Sequence, residues 1–230
     1  MYTELKKKVF EANMELHNRH LVLYTWGNVS QVDRERGVVV IKPSGVPYET
    51  MKWEDMVVLR LSDGEKVDGA LKPSSDAPTH LCLYRAFPEI GGITHTHSRC
   101  ATAFAQAHRS IPCLGTTHAD YFRGDVPVTR YLTKEEIDRG YEYCTGEVIV
   151  EAFEGLNPVH TPAALVRGHG PFAWGKDAAE SVYHAAVLEE VAAMAIHTFA
   201  LTPDIASLDE NTADKHFMRK HGPNAYYGQK

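Results

Sequence analysis

Apolar residues recur along this chain at two different periods, and the switches between them mark its elements. Leu5, Val9, Phe10, Met14 and Leu16 fall at near-helical spacing, which predicts a helix packed by one face. The pattern turns β-like from Leu21 to Ser30, and "GVVVIKPSG" from Gly37 reads as a buried strand closed by a turn. "DMVVLRL", "SDG" and "EKVDG" form a predicted hairpin. In "KPSSDAPTHLCLYRAFPE", Ser75 or Asp76 caps a helix that Pro88 ends. "GGITHTH" is the next strand, and the alanine-rich "SRCATAFAQAH" is a helix capped by Ser98. Thr133 and Glu136 spell a T-x-x-E capping box at the head of a helix reaching about Phe153. "AALVRGHGPFAWG" gives two short strands around a glycine turn. Asp177 and Glu180 start a long helix to about Leu201, followed by a polar, aromatic tail.

Strands and helices interleave, yet several strands are joined as hairpins. This predicts an α/β fold of three layers, α/β/α, around a central, mostly antiparallel sheet. There is no linker, low-complexity segment or repeat of fold size, so residues 1–230 are expected to form a single domain. Of the 230 residues, 43% are hydrophobic, enough for a core that needs no staples. Thirty acidic residues against 24 basic ones leave a net charge of −6, which argues against a nucleic-acid partner. Cys82, Cys100, Cys113 and Cys144 are scattered and read as reduced thiols. The first residues, "MYTELKKKVFEANMEL", carry charge where a signal peptide needs its apolar run. No window approaches the roughly 18 apolar residues of a membrane span. The expectation is a cytoplasmic protein without a membrane partner.

Chemistry concentrates in a few places. Side chains at i and i+2 of a strand share a face, so His95 and His97 can aim at one point, a common start to a divalent-metal site. His169, between two glycines in "RGHGPFAWG", supplies a third imidazole. Three histidines leave a coordination position open, as a catalytic metal requires. Asp76 is a fourth ligand, a base beside the metal, or a helix cap. Competing motifs fail: the glutamate that cupins place after H-x-H is absent, H-E-x-x-H is absent, and the hairpins suit no (β/α)₈ barrel. "KPSG" at 42–45 is echoed by "KPSS" at 72–75. Their hydroxyls and the Gly45 amide suit a phosphate, although either loop alone could be a plain proline turn. "GTTHADYF" and "NAYYGQ" carry Asp120, Tyr121, Tyr226 and Tyr227, groups able to serve as acid or base.

Taken together, "TWGNVS", "IKPSG", "KPSSD", "GGITHTHS", "GTTHADYF", "HGPFAWG" and "KHGPNAYYGQ" resemble, in order and over nearly the whole chain, the L-ribulose-5-phosphate 4-epimerases of the class II aldolase superfamily. The resemblance implies an α/β/α homotetramer with active sites between subunits. It implies one Zn²⁺ per subunit at His95, His97 and His169 with Asp76 beside them, Mn²⁺ or Co²⁺ being possible substitutes. Gly27, Asn28, Ser44, Gly45, Ser74 and Ser75 would hold a pentulose 5-phosphate, with Lys42 and Thr116 as further contacts. Asp120 and Tyr227 would be the acid/base pair, donated by the adjacent subunit. The implied reaction breaks C3–C4 in a retro-aldol step, turns glycolaldehyde phosphate over and rejoins the bond. Related aldolases that release the aldehyde have a glutamate where this chain has Asp76 and lack the aspartate of "HADYF". Arg123 and Arg167 depart from the family pattern.

Overall fold

The computed structural model describes residues 1–227. Helix α1 (Thr3–Asn18) leads into β1 (Asn28–Asp33), β2 (Val38–Ile41), a 3₁₀ turn (Trp53–Asp55), β3 (Val57–Arg60) and β4 (Lys66–Asp68). Helix α2 (Ala77–Ala86), β5 (Gly92–His95), α3 (Arg99–Gln106), the single turn α4 (Thr116–Ala119) and α5 (Lys134–Ala152) follow. The chain continues as β6 (Ala163–Val166), β7 (Gly170–Gly175), α6 (Ala178–Leu201) and α7 (Glu210–His221). The seven strands form one sheet in the order β4-β3-β2-β1-β5-β7-β6, every neighbouring pair antiparallel. The α/β/α expectation holds.

Strand periodicity builds the layers. Val38, Val40, Val58 and Leu165 face one core, which α1, α3 and α6 cover. Val39, Ile41, Leu59, Phe172 and Trp174 face a second, which α2 and α5 cover. These strands are apolar on both sides because helices lie on both. Trp174 satisfies its buried indole N–H on the Pro158 carbonyl, 2.8 Å away.

Several local expectations hold as bonds. Thr133 Oγ1 accepts from Glu136 N while Glu136 returns to Thr133 N. Asp177 Oδ1 accepts from Glu180 N at 2.8 Å. The cap of α3 is a correction: Ser98 occupies the position but makes no capping bond. Glu189 of α6 instead accepts from Cys100 N at 2.8 Å and Ala101 N at 2.9 Å, because a carboxylate matches the positive end of the helix better than a hydroxyl. A second correction is α7, where a tail was expected; Phe217 is its only buried residue, so it has almost no apolar stripe to read. The expectation that no stretch is apolar enough to span a membrane also needs amending, since α6 passes that test by length and composition. One face of α6 packs on β1, β5 and β7, while Tyr183, Met194 and Ile196 on its other side stay exposed.

Candidate active site and metal centre

The site gathers at one end of the sheet. Register pairs Asn28, the first residue of β1, with His95, the last of β5, and His95 with Phe172 of β7. The β strand stops at His95, so His97 is reached through the short link to α3 rather than along the strand. His169 sits in the β6–β7 turn, behind Gly168 at φ +72°. Strand ends and a tight turn thus bring three imidazoles together, with ring centroids 4.8 to 5.0 Å apart. One ring nitrogen from each lies within 4.8 Å of the others.

Their surroundings leave those nitrogens available. His95 is buried, stacked on Phe172 at 4.2 Å, and donates from Nδ1 to the Pro171 carbonyl at 2.9 Å. That bond leaves the Nε2 lone pair facing the cluster. His169 Nδ1 lies 3.2 Å from the Tyr141 hydroxyl. Burial, then the neighbouring His95 and His97, lowers the His169 pKa to about 4. Burial is also the main cause that lowers His97. Neutral imidazoles are the form that binds a metal, and three within ligand reach fit a divalent ion. Asp76 is a neighbour of the cluster, its Oδ2 4.0 Å from His95 Nε2. Burial acts against its charge, but the His95 and His80 rings and the Asn28 amide outweigh burial and hold the carboxyl below its ordinary range. Asp76 stands at the head of α2 without capping it; its Oδ2 accepts from Asn28 Nδ2 at 2.6 Å instead.

A cleft of about 620 Å³ opens over the histidines. Gly27, Asn28, Lys42, Ser44, Gly45, Ser74, Ser75 and Asp76 line it with His95, His97 and His169. The echo between the two Lys-Pro-Ser loops has a structural basis. Pro43 and Pro73 face each other as an isolated antiparallel bridge, with Ser44 N donating to Lys72 O and Ser74 N to Lys42 O. The amides of Ser44 and Ser74 are therefore spent on the bridge, which leaves the hydroxyls and the following amides for a ligand. Ser74 Oγ accepts from Asn28 Nδ2 at 3.0 Å and keeps its own proton to donate. Asn28 Oδ1 is buried with no protein partner among the described residues, an acceptor facing its environment unmet.

Gly27 is required where it stands. Its φ is +68°, and a Cβ there would come within 2.6 Å of Val22 Cγ1 and 2.7 Å of the His95 carbonyl. Lys42 is buried over the Tyr48 ring at 4.8 Å and donates to the Val46 carbonyl at 3.1 Å. Burial lowers its pKa to about 8, and no carboxylate pairs with it among the described residues, so an anion in the cleft would meet an unneutralised cation.

Asp120 and Tyr227 lie elsewhere and do not line this cleft. Asp120 ends α4, buried against α7, where Arg219 donates Nε to Oδ1 at 2.9 Å and Nη2 to Oδ2 at 2.6 Å. His216 Nδ1 is 3.2 Å from the same Oδ1. Burial opposes the Asp120 charge, but Arg219, Lys220 and His216 together lower its pKa. The Tyr227 ring is exposed and lies on the Arg219 guanidinium at 4.4 Å. Thr116 opens α4 beside Asp120, also outside the cleft.

Sequence reasoning did not single out Tyr141 and Glu142, which line the cleft, nor His216 and Arg219. The signal for the first pair was Gly140, a glycine inside a capped helix. For the second it was a run of basic residues, "KHFMRKH", whose partner lies about a hundred positions away.

Comparison with known proteins places this architecture. The Class II Aldolase and Adducin N-terminal domain family matches residues 7–196. The chain is 58% identical over 227 residues to L-ribulose-5-phosphate 4-epimerase UlaF of Salmonella typhi, covering 99% of both chains. The protein of the same name from Salmonella paratyphi C gives the same identity and coverage. Among solved structures, an L-fuculose 1-phosphate aldolase superposes with a TM-score of 0.80 at 25% identity, over 93% of this chain and 94% of that one. The l-fuculose-1-phosphate aldolase of Thermus thermophilus gives a TM-score of 0.67 at 24% identity, over 89% of this chain and 100% of its own, and so shares the fold. On sequence and on architecture alike, the chain belongs to the class II aldolase family.

Proposed function

We propose that the protein is a metal-dependent L-ribulose-5-phosphate 4-epimerase, interconverting L-ribulose 5-phosphate and D-xylulose 5-phosphate. The observation that carries this reading is one cleft in which three converging histidines share a wall with two bridged Lys-Pro-Ser loops. The names of relatives 58% identical to the chain point to the same activity. His95, His97 and His169 hold the ion, Zn²⁺ in the first instance, with Mn²⁺ or Co²⁺ able to replace it. Bound there, it supplies Lewis acidity to sugar oxygens on which negative charge develops.

The remaining work falls to the chain. The C4 hydrogen of a pentulose is not adjacent to the ketone, so removing it as a proton is difficult. Breaking C3–C4 avoids that step. A base takes the C4 hydroxyl proton, the C3–C4 electron pair passes to the C1–C3 fragment, and C4 becomes the aldehyde of glycolaldehyde phosphate. Gly27, Asn28, Ser44, Gly45, Ser74 and Ser75 keep that fragment by its phosphate, with the Lys42 charge behind them. The aldehyde turns its other face, the bond re-forms, and a group on the opposite side returns a proton to the C4 oxygen. No proton or electron is consumed overall. Asp120 and Tyr227 fill the two proton-transfer roles. Neither lines the cleft of its own chain, so each serves the cleft of a neighbouring copy in a homotetramer. The exposed apolar side of α6 is suited to such subunit contact. The reading takes the chain, 1–230, as one domain and the cytoplasm as its location, in keeping with four free cysteines.

A coupled assay following D-xylulose 5-phosphate, with and without a chelator, tests the proposal. Activity that depends on added divalent ion is expected; full activity after complete metal removal would overturn it. Accumulation of free glycolaldehyde phosphate as the main product would assign the chain to aldehyde release instead.

A further inference from the structure

Helix α5 is broken where it meets the site. Gly140 adopts φ 152° and ψ 96°, far from helical values, so Lys134–Arg139 and Tyr141–Ala152 are two helical pieces with different directions. The second piece is fastened to α2. Thr79 Oγ1 donates to the Glu142 carbonyl at 2.5 Å, and Thr145 Oγ1 turns back to the Tyr141 carbonyl at 2.8 Å. Gly146 lies so close to α2 that a Cβ would come within 2.5 Å of Cys82 Cβ. This seating presents Tyr141, the first residue after the break, to the cleft, with its hydroxyl 3.2 Å from His169 Nδ1 and its ring centroid 6.0 Å from the imidazole.

From this geometry we propose that Tyr141 is the positioning residue of His169, fixing the ring so that Nε2 faces His95 and His97. A metal-binding histidine needs its other nitrogen held, because the imidazole is otherwise free to rotate about χ2 and to change tautomer. His95 has the Pro171 carbonyl for this purpose. His169 occupies a turn, its Nδ1 bonds to no backbone carbonyl among the described residues, and the phenol oxygen accepts its Nδ1–H instead. The Gly140 break serves this contact: a continuous helix would carry residue 141 along the axis of the first piece, and only glycine adopts such a φ without strain. Tyr141 and Asp76, at the two helix heads fastened to each other, then approach the histidines as one unit.

The inference rests on the three-histidine metal reading, and the test separates the two. Zn²⁺ affinity is measured by competition with a chromogenic chelator for wild type, Tyr141→Phe, Tyr143→Phe and His97→Ala. Tyr143 is exposed on the same helical piece and serves as a control. Tyr141→Phe should bind Zn²⁺ about 10- to 100-fold more weakly, with a shifted visible spectrum when loaded with Co²⁺ and an unchanged melting temperature when metal-free. Tyr143→Phe should match wild type. If Tyr141→Phe binds as tightly as wild type while His97→Ala loses the metal, the positioning role is wrong and the metal site stands. If wild type and His97→Ala bind Zn²⁺ equally weakly, the metal reading fails and the inference fails with it.

Discussion

In the cleft, three imidazoles turn free nitrogens toward one another, and the Asn28 Oδ1 is buried without a protein partner among the described residues. Around Asp120 the reverse holds: Arg219 takes both carboxylate oxygens and His216 approaches one of them. Both regions hold histidine, aspartate and tyrosine, yet one is short of partners and the other has enough. An unmet buried polar group is costly, so Asn28 Oδ1 favours a ligand that brings a donor to the cleft, whereas the Asp120 carboxylate is met by the chain itself. Its outward surface is Tyr227 on Arg219, with Lys220 over the Tyr121 ring at 3.8 Å. On the proposed reading, this exposed aromatic face is what the chain offers to the cleft of a neighbouring copy.

Four substitutions break or sharpen this contrast. The largest effect should come from His97→Ala, which removes a free nitrogen from the cleft: turnover is expected to fall about 10³-fold, with loss of stoichiometric Zn²⁺ by elemental analysis. Tyr227→Phe should lower turnover about 10²-fold while Zn²⁺ content stays at wild-type level; lost metal would tie the two regions together within one chain. Mixing these two variants after mild dissociation should restore about a quarter of the sites, one half times one half for random pairing across an interface. No recovery in verified mixed oligomers would mean that each chain works alone.

The third concerns Lys42. Its pKa of about 8 in the folded chain lies below the 10.5 of an ordinary lysine. Between those values the unfolded chain holds a proton that the folded chain lacks, so stability should rise with pH across that window. Phosphate capture should run the other way, with KM for the phosphorylated substrate climbing above about pH 8 as the cation is lost. Lys42→Met should start with KM about 10-fold higher and show no such climb. The smallest effect belongs to Thr133→Ala, which removes a cap from the outer piece of α5 and should cost about 1 kcal/mol in a denaturant titration. Zn²⁺ affinity should not change, because the Gly140 break separates that cap from Tyr141.

The strands, hairpins and most caps could be read from the chain because they depend on residues a few positions apart. The H-x-H pair and the two Lys-Pro-Ser loops were legible for the same reason. Helix α7 was not: a helix whose apolar burial is Phe217 alone offers no periodicity to detect. The cap of α3 points locally to the adjacent Ser98, whereas the acceptor that provides it, Glu189, lies almost ninety positions later. Asp120 and Tyr227 could be picked out by resemblance, but nothing local in either indicates that Arg219 would join them. Long-range polar pairing, in this chain, is what pattern reading misses.

The Pro43–Pro73 bridge carries a consequence for capture. Two loops tied through each other's carbonyls cannot open or close one at a time, and proline has no N–H with which to form a rival pairing. If these loops hold the sugar phosphate as proposed, the wall it meets is assembled before it arrives. Little ordering entropy is lost on encounter, and the waiting step between collision and a held fragment should be short. Arrival rather than closure of these loops would set the pace at which the cleft fills.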